Sequence, residues 1–422
     1  MQDLIDLIER NYLKNRTIVS RDVPGILEDV AKACGVPLAL NRFASGADYA
    51  TWVIPDRWDV REAWVKGPDG RIIASYRDHP LFLAPYSIPF EGALSLAELK
   101  QHIRSHPTQS NAFYYEHRLA YDFRRRLQEW IITLPSETVE SLAEGTYQVK
   151  LDLDIGPGEM LVGELVLPGD SEDRIVLMAD YCHPGQVNDS FSGLAALIAT
   201  FRRLKALPRR KYSYHFFIFP ETVGSCALLS SRPELLTSVK AAIFSEFVGW
   251  GDRWVVSVSD MPGSLAHSMA QEAHCHDPTV EVVGLFEGWG NDEYVFDYAG
   301  VPSLAVQQFD CPEYHSSNDE PSRLRAVDLQ RASDIMLRMC LVAEEDALYR
   351  RRYPVPIYMT RFDLYLDAVA QRAAFKERRN ILYGIDGKTS LLEIAVKYGI
   401  DFDVVKSFAK ALADNELIER VA

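Results

Sequence analysis

The sequence predicts an α/β protein: a mixed, mostly parallel sheet flanked by helices, with a small β-rich domain inserted and a winged-helix domain at the C-terminus. Three observations carry that prediction. Near-continuous apolar runs such as 175–179 and 212–219 alternate with helical patterns, as expected of strands covered on both faces. Residues 44–108 change to short strands separated by turn dipeptides, and the chain ends on two short helices and a strand. At 422 residues it is long for one hydrophobic core, so two or three domains are expected.

In chain order, residues 1–43 read as two helices, the second ended by Gly35. The stretch 44–108, with Trp52, Trp58, Trp64 and the turn Gly67-Pro68-Asp69-Gly70, reads as the inserted β-rich domain. A helix is expected over 114–134. Strands follow at 147–153, 160–167, 175–179, 212–219, 241–245 and 301–306, with helices at 192–206, 225–236, 263–275 and 327–347. The main domain therefore spans 1–43 and 109–350, and 353–422 carries the winged-helix rhythm.

Hydrophobic content of 47% and charge content of 25% fit a soluble globular chain. No apolar run reaches the ~18 residues of a membrane span, and the acidic N-terminus is unlike a secretory signal, so a cytoplasmic location is expected. The net charge of −15 speaks against a nucleic-acid partner. Residues 386–420 hold five basic against seven acidic side chains, the wrong sign for reading a DNA groove. A docking or homo-oligomer role, through the inserted or winged-helix domain, fits better. Cysteines 34, 182, 226, 275, 311 and 340 form no Cys-x-x-Cys pair, which argues against a disulfide framework or a zinc knuckle.

In an α/β sheet, ligands bind beyond the carboxyl ends of the strands. There the chain places His183 and Asp189 (in Cys182-His183-Pro184 to Asn188-Asp189-Ser190), then Glu221, Glu246 and His315. Each has a plain structural reading, such as a helix cap or a loop histidine. Together they match a zinc hydrolase, which needs three protein ligands, an open position and a carboxylate free to move a proton. Cys182 and His183, as strand neighbours, should point to opposite faces and not form a thiol–imidazole pair.

These pieces, with Pro220-Glu221-Thr222-Val223-Gly224-Ser225, Asn291-Asp292-Glu293 and Tyr314-His315, resemble the co-catalytic zinc aminopeptidases of the bacterial leucyl aminopeptidase and glutaminyl cyclase type. More closely, they resemble a bacterial aminopeptidase-like subfamily with an inserted β-rich domain and a C-terminal winged helix. The resemblance implies His183, Asp189 and His315 as zinc ligands, Glu246 as a further one, and Glu221 as general base. Thr222 stands where the family carries its next acidic ligand, so one tightly held zinc is expected, with a second left open. Asp292 and Glu293 are expected to anchor a substrate ammonium, Tyr314 to line the pocket, and Asp319 to hydrogen-bond the far nitrogen of a ligating histidine.

The expected activity is hydrolysis of an amide bond in a peptide or small amide-bearing molecule, foremost as an aminopeptidase. The alternatives are a dedicated amidase or deacylase acting on a biosynthetic intermediate, and a degenerate, non-catalytic binding module, which Thr222 favours.

Overall fold

The computed structural model describes residues 1–421. Its main sheet has eight strands, in the order Ala39–Ala44, Glu159–Leu167, Ser213–Phe219, Arg174–Asp180, Val239–Ser245, Ser303–Phe309, Arg253–Val258, Val280–Gly284. The middle four run parallel. Antiparallel neighbours extend the sheet on both sides. This is the mixed α/β class the apolar runs predict.

Alternation along the buried strands divides their side chains between two cores. Ile175, Leu177 and Ala179 join helices Gln2–Asn11, Val23–Cys34, Gly193–Lys205 and Ala326–Glu345. Val176 and Met178 enter a second core with helix Val223–Ser231 and a four-stranded antiparallel sheet. That smaller sheet runs Ile72–Ser75, Arg57–Lys66, Thr146–Gly156, Phe90–Ser95.

Two expectations from the sequence are corrected here. Thr146–Gly156 lies in the smaller sheet, not the main one, so that unit draws on residues beyond 44–108. Its pattern explains why: Tyr147, Val149, Leu151 and Leu153 are buried while the residues between them are not, as in an antiparallel strand with one wet face. The helix expected over 114–134 shrinks to one turn, Arg118–Tyr121. The remainder bonds to the β-rich unit through Leu127 N–H to the Tyr86 carbonyl and Ile132 N–H to the His102 carbonyl. Tyr114 bridges to Ser316, which draws this segment across the edge of the main sheet.

The C-terminal unit has its own core. Strand Leu348–Arg351 lies between Asp386–Ser390 and Ile418–Arg420, under helices Arg372–Gly384, Leu391–Tyr398 and Phe402–Asp414. Arg338 ties it to the main domain, with its guanidinium between Glu272 and Asp403. Among the described residues no helix is long and apolar enough to cross a membrane.

Candidate active site

The parallel strands end in loops whose backbones are unusual in a shared way. His183, Thr222, Phe247 and His315 follow four neighbouring strands, and all have positive φ, between 53° and 70°. A non-glycine residue there is strained by roughly 1–3 kcal/mol, and such residues cluster at functional sites. All four line one cavity of about 240 Å³, together with Asp189, Glu221, Glu246 and Tyr314.

Asp189 sits at its centre. Its Oδ1 is 3.4 Å from His183 Nδ1, and its Oδ2 is 3.3 Å from His315 Nε2. One ligand atom from each of the three lies within 4.8 Å of the other two. The Glu221 carboxylate is 3.2 Å from His183 Nε2, and it is the more exposed partner. Buried Glu246 lies beside Asp189 in the lining and receives the Asn291 amide. Phe247, Trp289 and Tyr314 make an aromatic wall, with Tyr314 stacked 3.8 Å from the His315 ring.

Burial dominates the electrostatics, and neighbours decide its outcome. Burial raises the Asp189 carboxyl, but His183 and His315 more than offset it and hold it at about 2. Burial alone would lower the His183 imidazole, yet Asp189 pulls it well above the usual range. Glu246 is pushed up by burial and by Asp180 and Asp189. The cavity lining carries carboxylates at 189, 221 and 246 and no Lys or Arg.

Of the residues singled out by sequence, six meet around this cavity: His183, Asp189, Glu221, Glu246, Tyr314 and His315. Three do not act as expected. Asp292 and Glu293 are fully buried behind the wall. Asp292 accepts from the Thr222 N–H at 2.9 Å and from the Ser225 hydroxyl, while Glu293 accepts from the Asn291 N–H at 3.1 Å. They shape the Thr222 and Asn291 turns and do not line the cavity. Asp319 accepts the backbone N–H groups of Val187, Asn188 and Asp189, at 2.7–3.1 Å, rather than a histidine nitrogen. It fixes the Asp189 loop through its main chain.

Cys182 also departs from expectation. Positive φ at His183 breaks the strand's alternation, so the Cys182 thiol lies 3.4 Å from His183 Nδ1. Burial pushes that thiol up to about 12, so it is neutral and a weak ligand.

Sequence reasoning missed three residues. His117 lines the cavity beside His315, with ring centroids 4.8 Å apart and its buried Nδ1 unpartnered. Tyr115 lies edge-on to both His183 and His315. Arg16 is buried and donates to the carbonyls of Tyr181, Cys182 and Gln186, which brackets the His183 loop. No spacing signal marks any of them.

The family model described as a domain of unknown function (DUF4910) matches residues 5–346. A Clostridium acetobutylicum protein, named for polysaccharide biosynthesis with an aminopeptidase-like domain, is 26% identical over 427 residues, 99% of this chain and 96% of that one. A crystal structure described as a peptidase from the same organism has a TM-score of 0.86 at 25% identity, covering 100% of this chain and 96% of that one. A zinc aminopeptidase from Bacillus subtilis gives 0.60 at 15% identity, covering 81% of this chain and 94% of its own. The fold is therefore shared with bacterial zinc aminopeptidases.

Proposed function

The chain belongs to the DUF4910 family, and from that premise we propose that it is a zinc-dependent hydrolase cleaving amide bonds, acting as an aminopeptidase that removes an N-terminal residue. The observation that carries this reading is the His183–Asp189–His315 cluster with Glu221 at its side.

The donor set fits zinc. Two imidazoles and a carboxylate form a familiar catalytic set, and Asp189 Oδ2 is buried without a hydrogen-bond donor of its own. His183, Asp189 and His315 would hold the ion. Zinc supplies a Lewis acid that polarises the scissile carbonyl and lowers the pKa of water toward ~7. Glu221 accepts the proton of the attacking water as the O–C bond forms and returns it to the amine as the C–N bond breaks.

The rest of the lining favours a free amine. Glu221, the more exposed acid of a lining without Lys or Arg, favours a substrate that carries a terminal ammonium. Phe247, Trp289 and Tyr314 offer an apolar face to the first side chain. Thr222, a weak ligand where the resembling family carries an acid, supports one zinc rather than two.

The test compares an aminoacyl p-nitroanilide with its N-acetylated form. Wild-type protein is expected to release nitroaniline from the free-amine substrate only. Glu221→Gln is expected to lose roughly 10²–10⁴-fold in rate with its zinc content unchanged. A fully active Glu221→Gln protein would remove Glu221 from its role; nitroaniline released from the N-acetyl substrate would show that no free terminus is needed, and acetate released from it without nitroaniline would make the protein a deacylase.

A further inference from the structure

A second cavity, of about 410 Å³, lies wholly within the C-terminal unit. It shares no lining residue with the His183 cavity, so its role stands or falls independently of the proposed hydrolysis. It opens between the end of strand Leu348–Arg351, the irregular stretch 353–366 and helix Arg372–Gly384. Pro354 and Pro356 fix φ along that stretch and remove two N–H donors, so the chain stands off the helix instead of pairing into the three-stranded sheet. Ile357, Met359, Leu366, Phe375 and Leu382 give the cavity apolar walls. Its volume falls within the ~300–1,000 Å³ common for small-molecule sites.

The charge of the lining is unlike the rest of the chain. The sequence has 60 acidic and 45 basic residues, yet this lining has no carboxylate and three arginines, Arg351, Arg378 and Arg379. Arg378 is engaged: it donates to the Leu364 carbonyl at 2.7 Å and covers the Phe408 ring. Arg350 and Arg352, on the opposite face of the strand from Arg351, pair with Glu419. Arg351 and Arg379 make no side-chain hydrogen bond or ion pair among the described residues. Two unspent guanidinium groups thus border an otherwise apolar hollow. Such a site is complementary to one class of molecule, with an apolar body and an anionic head that a planar guanidinium grips through charge-assisted hydrogen bonds.

We propose that the C-terminal cavity binds a small amphipathic anion, with its carboxylate or phosphate head on Arg351 and Arg379 and its apolar body against Met359, Phe375 and Leu382. The two head groups share this chemistry, and the choice between them is an outcome of the test.

The test is isothermal titration of the full chain with decanoate, decyl phosphate, decanol and decylamine. Both anions are expected to bind one per chain, and the amine not at all. Arg379→Glu and Arg351→Glu each weaken the anions by roughly tenfold or more, and Arg379→Lys restores part of the loss. Both arginines are exposed, so the fold should tolerate these changes, and unaltered circular dichroism verifies it. Tighter binding of decyl phosphate identifies a phosphate ester as the ligand, and tighter binding of decanoate a carboxylate. Equal binding of amine and anions, or charge reversals that leave affinity within about twofold, overturns the proposal. So does a dimer in sedimentation velocity that both reversals dissolve, because a second copy would then fill the hollow.

Discussion

Arg16 shows how much of this site depends on a residue that carries no chemistry. Its buried guanidinium lies 3.7 Å over the Phe191 ring and satisfies three carbonyls of the 181–186 loop. Burial lowers its pKa to about 10, which still leaves it charged at neutral pH. Lysine brings the charge but not the planar fork of donors. Arg16→Lys is therefore expected to weaken zinc binding at least roughly tenfold and to cost ~2–4 kcal/mol of stability. Chelator competition and urea unfolding measure the two effects, and unchanged zinc affinity would free the loop from Arg16. His183, Asp189, Glu221 and His315 were legible in the sequence because each falls just past a recognisable strand. Arg16 and His117 were not, because a lone side chain far along the chain leaves no spacing. Asp292 was misread because a helix-start acid looks the same whether it faces a ligand or, as here, the Thr222 N–H.

At the scale of elements, one close contact and one histidine set the geometry. Helix Gly193–Lys205 starts against the end of strand Val239–Ser245, where a Cβ on Gly193 would lie 1.8 Å from the Ser245 carbonyl oxygen and 3.0 Å from Glu246 Cα. Gly193→Ala must push the helix from the strand and separate Asp189 from Glu246. A loss of roughly 3 kcal/mol or more is expected, with zinc binding lost as well. A variant as stable as wild type would contradict that packing. His79 accepts from the Leu81 N–H, stacks on Phe113 and packs against Gly185 of the His183 loop. Burial lowers its pKa to about 4, against ~6.5 when unfolded. Between these values the unfolded chain binds the extra proton, so stability rises with pH and is lost on acidification, by up to roughly 3 kcal/mol. Urea unfolding at several pH values should show a shallower slope between about pH 4 and 6.5 for His79→Gln, and an identical slope would clear His79. One of the sequence's two errors at this scale, the placing of Thr146–Gly156, came from reading a two-residue alternation as a buried strand. Its polar positions, Gln148, Lys150, Asp152 and Asp154, already marked one face as wet.

For the molecule as a whole, the main sheet separates two cores and gathers the chemistry at one edge. The β-rich unit roofs that edge, and its connection through residues 114–134 carries His117 and Tyr121 into the cavity. This roofing was invisible in the sequence, since it depends on long-range pairing such as Tyr114 with Ser316. Two donor groups compete for a cation here: His183–Asp189–His315, and Asp180–Cys182–His183–Glu221. Asp180 and Cys182 do not line the cavity, and the Cys182 thiol is held neutral, so the first group should bind. Zinc K-edge absorption on the purified full chain decides between them. The account predicts one zinc per chain in a shell of imidazole nitrogen and carboxylate oxygen without sulfur. A zinc–sulfur distance near ~2.3 Å, or a chain that takes up no zinc, would contradict it.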